Sequence, residues 1–219
     1  MADAYLNAQQ QNIARLSDGS AVRLRATRDG AAIQLPWFVS LVMEGRVFQA
    51  AAPQPLTITA LTIMTTYADA SKTVYADIPD GTAFIPVEVH CSQQAAGGLG
   101  HYFGFISDTL NGTGGTETAI TPINYRKDAP IASGATCAHT ASSEVDTVTG
   151  TEISLFHRSI NSDVDALSFE PSYLWTVANA GIAPIGLDAG SINLVVYNET
   201  SGTGLGQISW IELTESAFT

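Results

Sequence analysis

Apolar and polar residues alternate with a period of two along much of the chain after residue 36. Such alternation places successive side chains on opposite faces of an extended backbone and is typical of strands with one buried face. The run TAFIPVEVHC shows it most clearly, with one face made of Ala83, Ile85, Val87, Val89 and Cys91. The apolar run WFVSLVMEGRVFQA is predicted to be one bulged strand or two strands around Glu44 and Gly45.

Roughly eight to ten short strands are predicted in total, separated by segments rich in turn residues. The other strand candidates are LTITALTIMTTY, HYFGFISD, TAITPINY, ATCAHTA, EISLFHRSI, SYLWTVA, SINLVVYN and QISWIEL. Asp77–Gly81 is predicted to be a turn, and ETSGTGLG a hairpin loop between the last two strands. Neither strand–helix–strand alternation nor a fixed-length repeat is visible, so the pattern favours an all-β antiparallel sandwich or barrel.

The first residues follow a different pattern from the rest of the chain. Leu6, Ile13 and Leu16 share one helical face within residues 3–16, and a short helix is predicted there, ending at Ser17–Gly19. The next segment, AVRLRATRDG, alternates as a strand with an arginine face. We therefore divide the chain into an N-terminal arm at residues 1–35 and a sandwich domain at residues 36–219.

Charge is sparse and unevenly placed in this 219-residue chain. Charged residues make up 14% and apolar residues 45%, which allows a proper core and leaves a surface of neutral polar side chains. The net charge is −12, yet residues 1–46 carry five arginines against four acidic residues, a net +1. The remaining residues therefore carry −13, and an acidic body disfavours nucleic acid and anionic membranes as partners.

Membrane insertion and secretion are also disfavoured by the sequence pattern. No run reaches the roughly 18 apolar residues that a membrane-spanning helix requires. The N-terminal segment lacks a basic start followed by an apolar run, so no secretory signal is predicted.

Candidate metal ligands are few. Cys91 and Cys137 are predicted to be buried free thiols, with one disulfide between them as the alternative. His90 and Cys91 are neighbours on a predicted strand and point to opposite faces, which disfavours a shared zinc ion. Cys137 and His139 share a face, but their spacing is not that of a zinc finger or ribbon.

Two pairs of aspartates could contribute oxygen ligands to calcium: Asp77 with Asp80, and Asp163 with Asp165. Neither pair supplies a full ligand set, and solvated turn carboxylates are the simpler interpretation. We predict no metal or cofactor site.

Catalytic motifs are not recognisable either. No G-x-S-x-G elbow occurs, and Gly202, Gly204 and Gly206 lack the spacing of a dinucleotide fingerprint and are interpreted as loop residues. We predict that the chain is not an enzyme and has no catalytic residues.

Aromatic residues leave one binding interpretation open. Trp37, Trp175 and Trp210 all fall in predicted strands, where core positions are expected. Strips of aromatic side chains can also stack on sugars.

The arginines of the arm are the candidate functional residues. Arg23, Arg25 and Arg28 could meet nucleic acid inside a shell, meet the acidic body of a neighbouring copy, or form a solvated strand face. We favour subunit contact, because the rest of the molecule is acidic.

The layout is a short arm followed by about eight antiparallel strands with elaborate loops, and it closes with the paired strands of GLDAGSINLVVYNETSGTGLGQISWIEL. This layout resembles the single jelly-roll structural proteins of viruses, including bacteriophage capsid and capsid-surface proteins. The segment TVYADIPDGTAFIPVEVHC is also similar in style to strands of such proteins. The resemblance implies a jelly-roll sandwich located in the virion, with copies of itself and other virion proteins as partners.

Three functions follow as hypotheses. The first is a virion structural protein that self-assembles through its sandwich and its N-terminal arm. The second is a receptor- or glycan-binding spike or adhesin module. The third is a carbohydrate-active enzyme built on a sandwich.

Overall fold

The computed structural model describes residues 5–7, 21–23, 37–53, 61–63, 72–94, 99–111, 117–128, 130–140, 150–161, 172–198 and 202–215. Along the chain these residues form β1 (Tyr5–Asn7), β2 (Ala21–Arg23), α1 (Trp37–Met43), β3 (Val47–Ala52), β4 (Leu61–Ile63), β5 (Val74–Ile78), β6 (Thr82–Gln94), β7 (Leu99–Ser107), β8 (Glu117–Ile120), β9 (Ile123–Asn124), β10 (Thr136–Thr140), β11 (Glu152–Asn161), β12 (Ser172–Thr176), α2 (Val177–Ala180), β13 (Gly190–Asn198) and β14 (Gly202–Thr214).

Two large antiparallel sheets build the molecule. The first has the strand order β11-β7-β13-β5-β10-β8. The second has the order β12-β6-β14-β3-β9, with β4 also paired to β14. The sheets pack face to face around one apolar core, and the predicted all-β antiparallel sandwich is therefore confirmed.

Strand pairing in the two sheets is nested along the chain. The strand β3 pairs with β14, and β5 pairs with β13. Inside these pairs, β6 pairs with β12, and β7 pairs with β11. The four pairs are therefore nested one inside another along the chain, and β8, β9 and β10 lie between β7 and β11 in the sequence.

The core lies between the inner faces of both sheets. Its largest fully buried side chains include Trp210 and Phe48, whose rings are stacked 6.2 Å apart, together with Tyr102 and Phe84. Cys91 and Cys137 are both buried free thiols, as predicted. Burial in this apolar core raises the pKa of the Cys91 thiol to about 12, so the group stays protonated and unreactive at neutral pH.

Residues 37–43 form the helix α1 and not the strand predicted for them. Gly45 ends the helix, because its φ of 72° is a left-handed conformation that glycine adopts without strain. The Gly45 N–H donates to the carbonyl of Val42, and the Arg46 N–H donates to the carbonyl of Leu41, both at 2.9 Å. These two bonds form a Schellman cap, which closes the helix just before β3 begins. Trp37 therefore lies on a helix and not on a strand.

The last two strands are not the hairpin that their sequence predicts. The strand β13 lies in the first sheet and β14 in the second, so the chain crosses the sandwich between them. The glycines expected in a loop belong to β14. A Cβ atom on Gly206 would lie 2.8 Å from Val74 Cγ2 and 3.0 Å from Leu194 Cδ2 in the opposite sheet. Glycine is needed there because the two sheets approach closely.

Strand β6 also departs from its predicted alternation. The register against β14 shifts between Ser209 and Trp210, where Val87 is the extra residue of a β-bulge. In a regular strand, residues an odd number of positions apart face opposite sides of the sheet. Because of the bulge, Phe84 and Val89, five positions apart, both lie in the core. Ile85 and Val87, predicted to face the core, are only partly buried.

Two short strands, β1 and β2, are described in the arm. They pair antiparallel in a two-stranded sheet of their own, with Tyr5 opposite Arg23. The helix predicted over residues 3–16 is therefore wrong at residues 5–7, and the strand predicted from residue 21 is correct at residues 21–23. The remaining residues of both predictions, with Arg25 and Arg28, lie outside the described residues, as do Asp163 and Asp165. Among the described helices, none is long and apolar enough to span a membrane.

Candidate functional site

Helix α1 presents apolar side chains in nearly every direction. Its sequence is WFVSLVM, and none of its seven residues is buried. The exposed fraction is 57% for Trp37, 40% for Val39 and 60% for Met43. Helices that are apolar on all sides are ordinarily buried, so this helix is suited to contact with another surface.

A pocket of about 370 Å³ lies at one end of the sandwich. Its walls are apolar and are formed by Phe84, Ile106, Ile153, Ile185 and Leu187, and we call it the end pocket. Two exposed carboxylates, those of Asp108 and Asp188, also line it. A volume of this size accommodates a few side chains or a small ligand.

The segment before β13 forms one wall of the end pocket. The backbone of Gly186 exchanges two hydrogen bonds with the backbone of Phe84, at 2.9 and 3.0 Å, which attaches the segment to β6. A Cβ atom on Gly186 would lie 2.1 Å from the Phe84 ring, so only glycine allows this close approach. The attachment leaves Ile185 and Leu187 on either side exposed by 47% and 39%.

Three carboxylates from distant segments converge beside the end pocket: those of Asp80, Asp188 and Glu215. One oxygen of each lies within 4.8 Å of the others, and we call this group the carboxylate cluster. Asp80 occupies the turn before Gly81, whose φ is 79°, and Glu215 follows β14 with its N–H bonded to the Gly81 carbonyl at 3.3 Å. Within the described part of the chain, no lysine or arginine pairs with these three groups.

The carboxylate cluster has the chemistry of a cation site. Three carboxylates are fewer than the six to eight oxygen ligands that calcium takes. A guanidinium group is the other cation that such a cluster accommodates, because it donates several N–H groups to carboxylate oxygens at once. The calcium pair suggested by the sequence is not brought together as such, because Asp80 joins this cluster whereas Asp77 has other partners.

Asp77 belongs to a polar network on the outer face of the first sheet. Its carboxylate accepts hydrogen bonds from the backbone and side chain of Asn111, at 3.1 and 2.7 Å. The Asn111 amide also donates to Asn193, which in turn donates to Ser191. Burial raises the pKa of Asp77 to about 6, although the Asn111 bonds oppose the shift.

Aromatic rings occupy the outer face of the same sheet. His101 and Tyr197 stack with centroids 4.4 Å apart and planes 7° from parallel, and His157 meets the Phe103 ring edge-on at 5.4 Å. We call these four side chains the aromatic row. Ser159 Oγ lies 2.8 Å from His101 Nδ1, but within the described residues no carboxylate orients the other ring nitrogen, as a nucleophile–base pair requires.

Of the two zinc pairs considered from the sequence, His90 and Cys91 lie on opposite faces of β6, as predicted. Cys91 lies in the core, whereas His90, its neighbour on β6, is partly exposed on the other face. Cys137 is in the core, and His139 lies two residues further along β10 with its Nδ1 buried and unpartnered among the described residues. Burial lowers the pKa of His139, so the ring is neutral at physiological pH.

The other sequence-predicted residues are dispersed. Trp175 and Trp210 are core residues with 5% and 0% exposure, as expected, whereas Trp37 is exposed on α1. Arg23 lies on β2, which among the described strands pairs with β1 and with neither large sheet. The end pocket was missed by sequence reasoning, although the apolar stretch GIAPIGLDAG, rich in loop residues, is the signal that could have indicated it.

Comparisons with known proteins identify no relative from which a function could be inferred. No family model, no curated protein and no solved structure matches the chain.

Proposed function

We propose that the protein is a virion structural protein, a capsid or capsid-associated subunit built on a jelly roll, which self-assembles through its sandwich and its N-terminal arm. The nested strand pairing supports the jelly roll. Eight strands pair first with last in four nested pairs, and they divide between two sheets in the orders β3-β14-β6-β12 and β5-β13-β7-β11. This order supports a wound hairpin of two Greek keys, the arrangement that capsid, lectin and cupin domains share.

The observation that carries the self-assembly proposal is the exposure of α1. An apolar helix left on the surface of one subunit favours association, because each large side chain that leaves water contributes about 1.5–3 kcal/mol. Trp37 and Met43 are each more than half exposed on a helix that leads directly from the arm into the sandwich. A contact at α1 would therefore hold both the arm and the sandwich of one copy against its neighbour.

The low charge of the chain agrees with this proposal. Interface cores are depleted in charged residues, and only 14% of this chain is charged. The acidic body supports protein partners over nucleic acid, so the partners proposed are further copies of the chain and other virion proteins.

Assembly is tested by native mass spectrometry and electron microscopy of the purified protein over a range of concentrations. We expect oligomers or shells for the natural sequence. The double variant Trp37→Ser/Met43→Ser should weaken association about tenfold or more for each side chain, because apolar burial at the contact is lost.

A matched control is available in Leu174, which is 48% exposed on the edge strand β12. Leu174→Ser should leave assembly unchanged. A protein that stays strictly monomeric at high concentration and is missing from virus particles would contradict the proposal.

A receptor- or glycan-binding module is the second candidate, and the aromatic row favours it. Aromatic side chains can stack on sugar rings, and His101, Tyr197, Phe103 and His157 lie together on this outer sheet face. Binding to a glycan array that is lost in Tyr197→Ala but kept in Tyr125→Ala would support it. Tyr125 is a suitable control because it is a partly exposed tyrosine at the end of β9. An array without signal would remove this candidate.

A further inference from the structure

We propose that the end pocket is a docking site for the arginine-bearing N-terminal arm of a second copy of the chain, with an apolar side chain of the arm in the pocket and an arginine on the carboxylate cluster. This inference deepens the proposed function and rests on it, because it assigns the surface that receives the arm.

The occupant of the end pocket must be both apolar and cationic. Ile153, Ile185 and Leu187 line it and are each exposed by between 39% and 49%, so a bound side chain would cover apolar surface that now faces water. Next to these walls lie the carboxylates of Asp108 and Asp188. A purely apolar occupant would leave the acidic groups without a counter-charge, and a purely polar one would leave the walls in water.

The carboxylate cluster concentrates negative charge beside the same pocket. Three carboxylates with oxygens within 4.8 Å of one another repel each other unless a cation lies between them. Asp80 accepts a hydrogen bond from the Gly81 N–H at 2.9 Å, but within the described residues no arginine or lysine forms an ion pair with Asp80, Asp188 or Glu215. A guanidinium from outside the sandwich would supply several donors to this group.

Residues 13–28 have the complementary pattern. They hold four of the nine basic residues of the chain and a single aspartate, a net +3. Val22, Arg23, Leu24 and Arg25 alternate, so an extended segment presents apolar side chains on one face and arginines on the other. A segment lying along the pocket mouth can thus place a leucine or valine in the pocket and a neighbouring arginine on the carboxylates.

The arm also needs a surface to lie on. Among the described residues, its strands β1 and β2 pair with each other and with no strand of the two large sheets. A two-stranded hairpin is marginally stable by itself in water, so its persistence requires packing against something larger. Because the arm precedes α1 in the chain, we expect the copy that covers the exposed α1 to offer a surface to the arm as well.

Charge exchange between the two surfaces is the decisive experiment, with the association constant of the full-length protein as the readout. Reversing the pocket charges in Asp188→Arg/Glu215→Arg should weaken association about tenfold or more, because like charges then face each other. Reversing the arm charges in Arg23→Glu/Arg25→Glu should do the same. The combination of all four changes should restore association toward the natural value, which simple damage to folding would not do.

Asp128 provides the matched control. It is an exposed aspartate outside the pocket, with 78% of its side chain accessible. Asp128→Arg makes the same change of charge at one site and should leave association unchanged. Added salt should weaken association of the natural protein and have less effect on the Asp188→Arg/Glu215→Arg variant, since exposed charges are screened.

Cross-linking identifies the copy that supplies the arm. Copies with Leu24→Cys, mixed with larger tagged copies carrying Ile153→Cys, should form a disulfide-linked product whose mass is that of one copy of each kind. When both substitutions are placed in one chain, exclusive linkage within that chain would overturn the proposal, because the arm would then occupy its own pocket.

The two proposals fail in different ways. If Trp37→Ser/Met43→Ser abolishes assembly while the charge reversals do not affect it, the docking inference is wrong and the proposed function stands. If titration with calcium chloride shows binding that Asp188→Asn removes, and association is indifferent to Arg23→Glu/Arg25→Glu, the cluster is a metal site and the inference is overturned. If the natural protein does not associate, both proposals fall.

Discussion

The single carboxylate of Glu212 and the carboxylate cluster, both near the end of β14, have opposite surroundings. Glu212 is 7% exposed and accepts hydrogen bonds from Trp210 Nε1 at 2.8 Å, from the Gly134 N–H at 3.1 Å and from the Ser133 hydroxyl. Three residues later, Glu215 shares the carboxylate cluster with Asp80 and Asp188, so two further carboxylates lie within 4.8 Å of its own. Glu212 attaches the segment between β9 and β10 to β14 through Ser133 and Gly134. The carboxylate cluster, in contrast, can accept a cation from another molecule.

The contrast separates groups that hold the fold from groups that are available for binding. A buried carboxylate with donors on all sides is costly to change, because each abandoned donor stays desolvated. An exposed cluster of like charges contributes little to folding or opposes it. Stability measurements on matched variants should therefore distinguish the two regions.

The largest effect is expected for Glu212→Ala. It would leave the Trp210 indole N–H and the Gly134 N–H without their acceptor, at a cost of about 4 kcal/mol in the free energy of unfolding. Urea titration monitored by tryptophan fluorescence measures this loss. Glu215→Ala is the control from the other group and should change stability by no more than about 0.5 kcal/mol. Equal losses in both variants would remove the contrast.

Asp77 should show an intermediate effect that depends on pH. Its pKa in the folded protein is raised to about 6, so the folded state binds the proton more tightly than the unfolded chain, whose pKa is near 3.8. Its contribution to stability is present below about pH 4 and is lost as pH rises through about 6, by up to about 3 kcal/mol. Lys72 opposes this shift by attraction, and Glu117 adds to it by repulsion.

The measurement is the difference in unfolding free energy between the natural protein and Asp77→Asn at pH 4, 5, 6 and 7. Asparagine keeps an oxygen for Asn111 but does not ionise in this range. The natural protein should lose stability relative to the variant as pH rises. A difference that stays constant with pH would show that Asp77 titrates normally.

Gly186→Ala should cost about 2 kcal/mol, since its Cβ would lie 2.1 Å from the Phe84 ring and force that ring to move. Gly134→Ala is a matched control, because the nearest atom to its Cβ would be 3.6 Å away, at Pro79. Thermal unfolding of both variants tests this wall of the end pocket. A Gly186→Ala protein as stable as Gly134→Ala would show that the segment before β13 is not held tightly.

The smallest effect is expected for Asp188→Asn. Removing one of three neighbouring like charges should leave the unfolding free energy unchanged within about 0.5 kcal/mol or raise it slightly. Differential scanning calorimetry at low and high salt would detect the change. A clear loss of stability would mean that Asp188 holds the fold, as Glu212 does, and would weaken its assignment to binding.

Much of the strand content could be predicted because a strand with one buried face repeats every two residues. The strands β7, β11 and β13 lie where alternation places them. The prediction was wrong over residues 37–43, because a short run of apolar residues does not distinguish a strand from a helix, and the deciding signal is the single Gly45 after it. It also failed in β6, where one bulge at Val87 exchanges the faces on either side.

The candidate sites could be predicted less well. Arg23, Arg25 and Arg28 stand out by composition, and their assignment to subunit contact stays a prediction. The end pocket depends on Phe84 and Gly186, which are far apart in the chain and joined by two backbone hydrogen bonds. Because the paired residues are distant in the chain, no local pattern in the sequence indicates that they meet.

The sequence by itself determined that the chain forms strands with one apolar face, that its cysteines are buried, and that its positive charge is concentrated at the start of an acidic chain. These properties follow from local periodicity and composition. Only the tertiary structure decided that β13 and β14 lie in different sheets, that Trp37, Val39 and Met43 of α1 are exposed, and that Asp80, Asp188 and Glu215 meet. The reason is that nested strand pairing brings together residues from distant segments, and the closure of the sandwich as a whole decides which of them become neighbours.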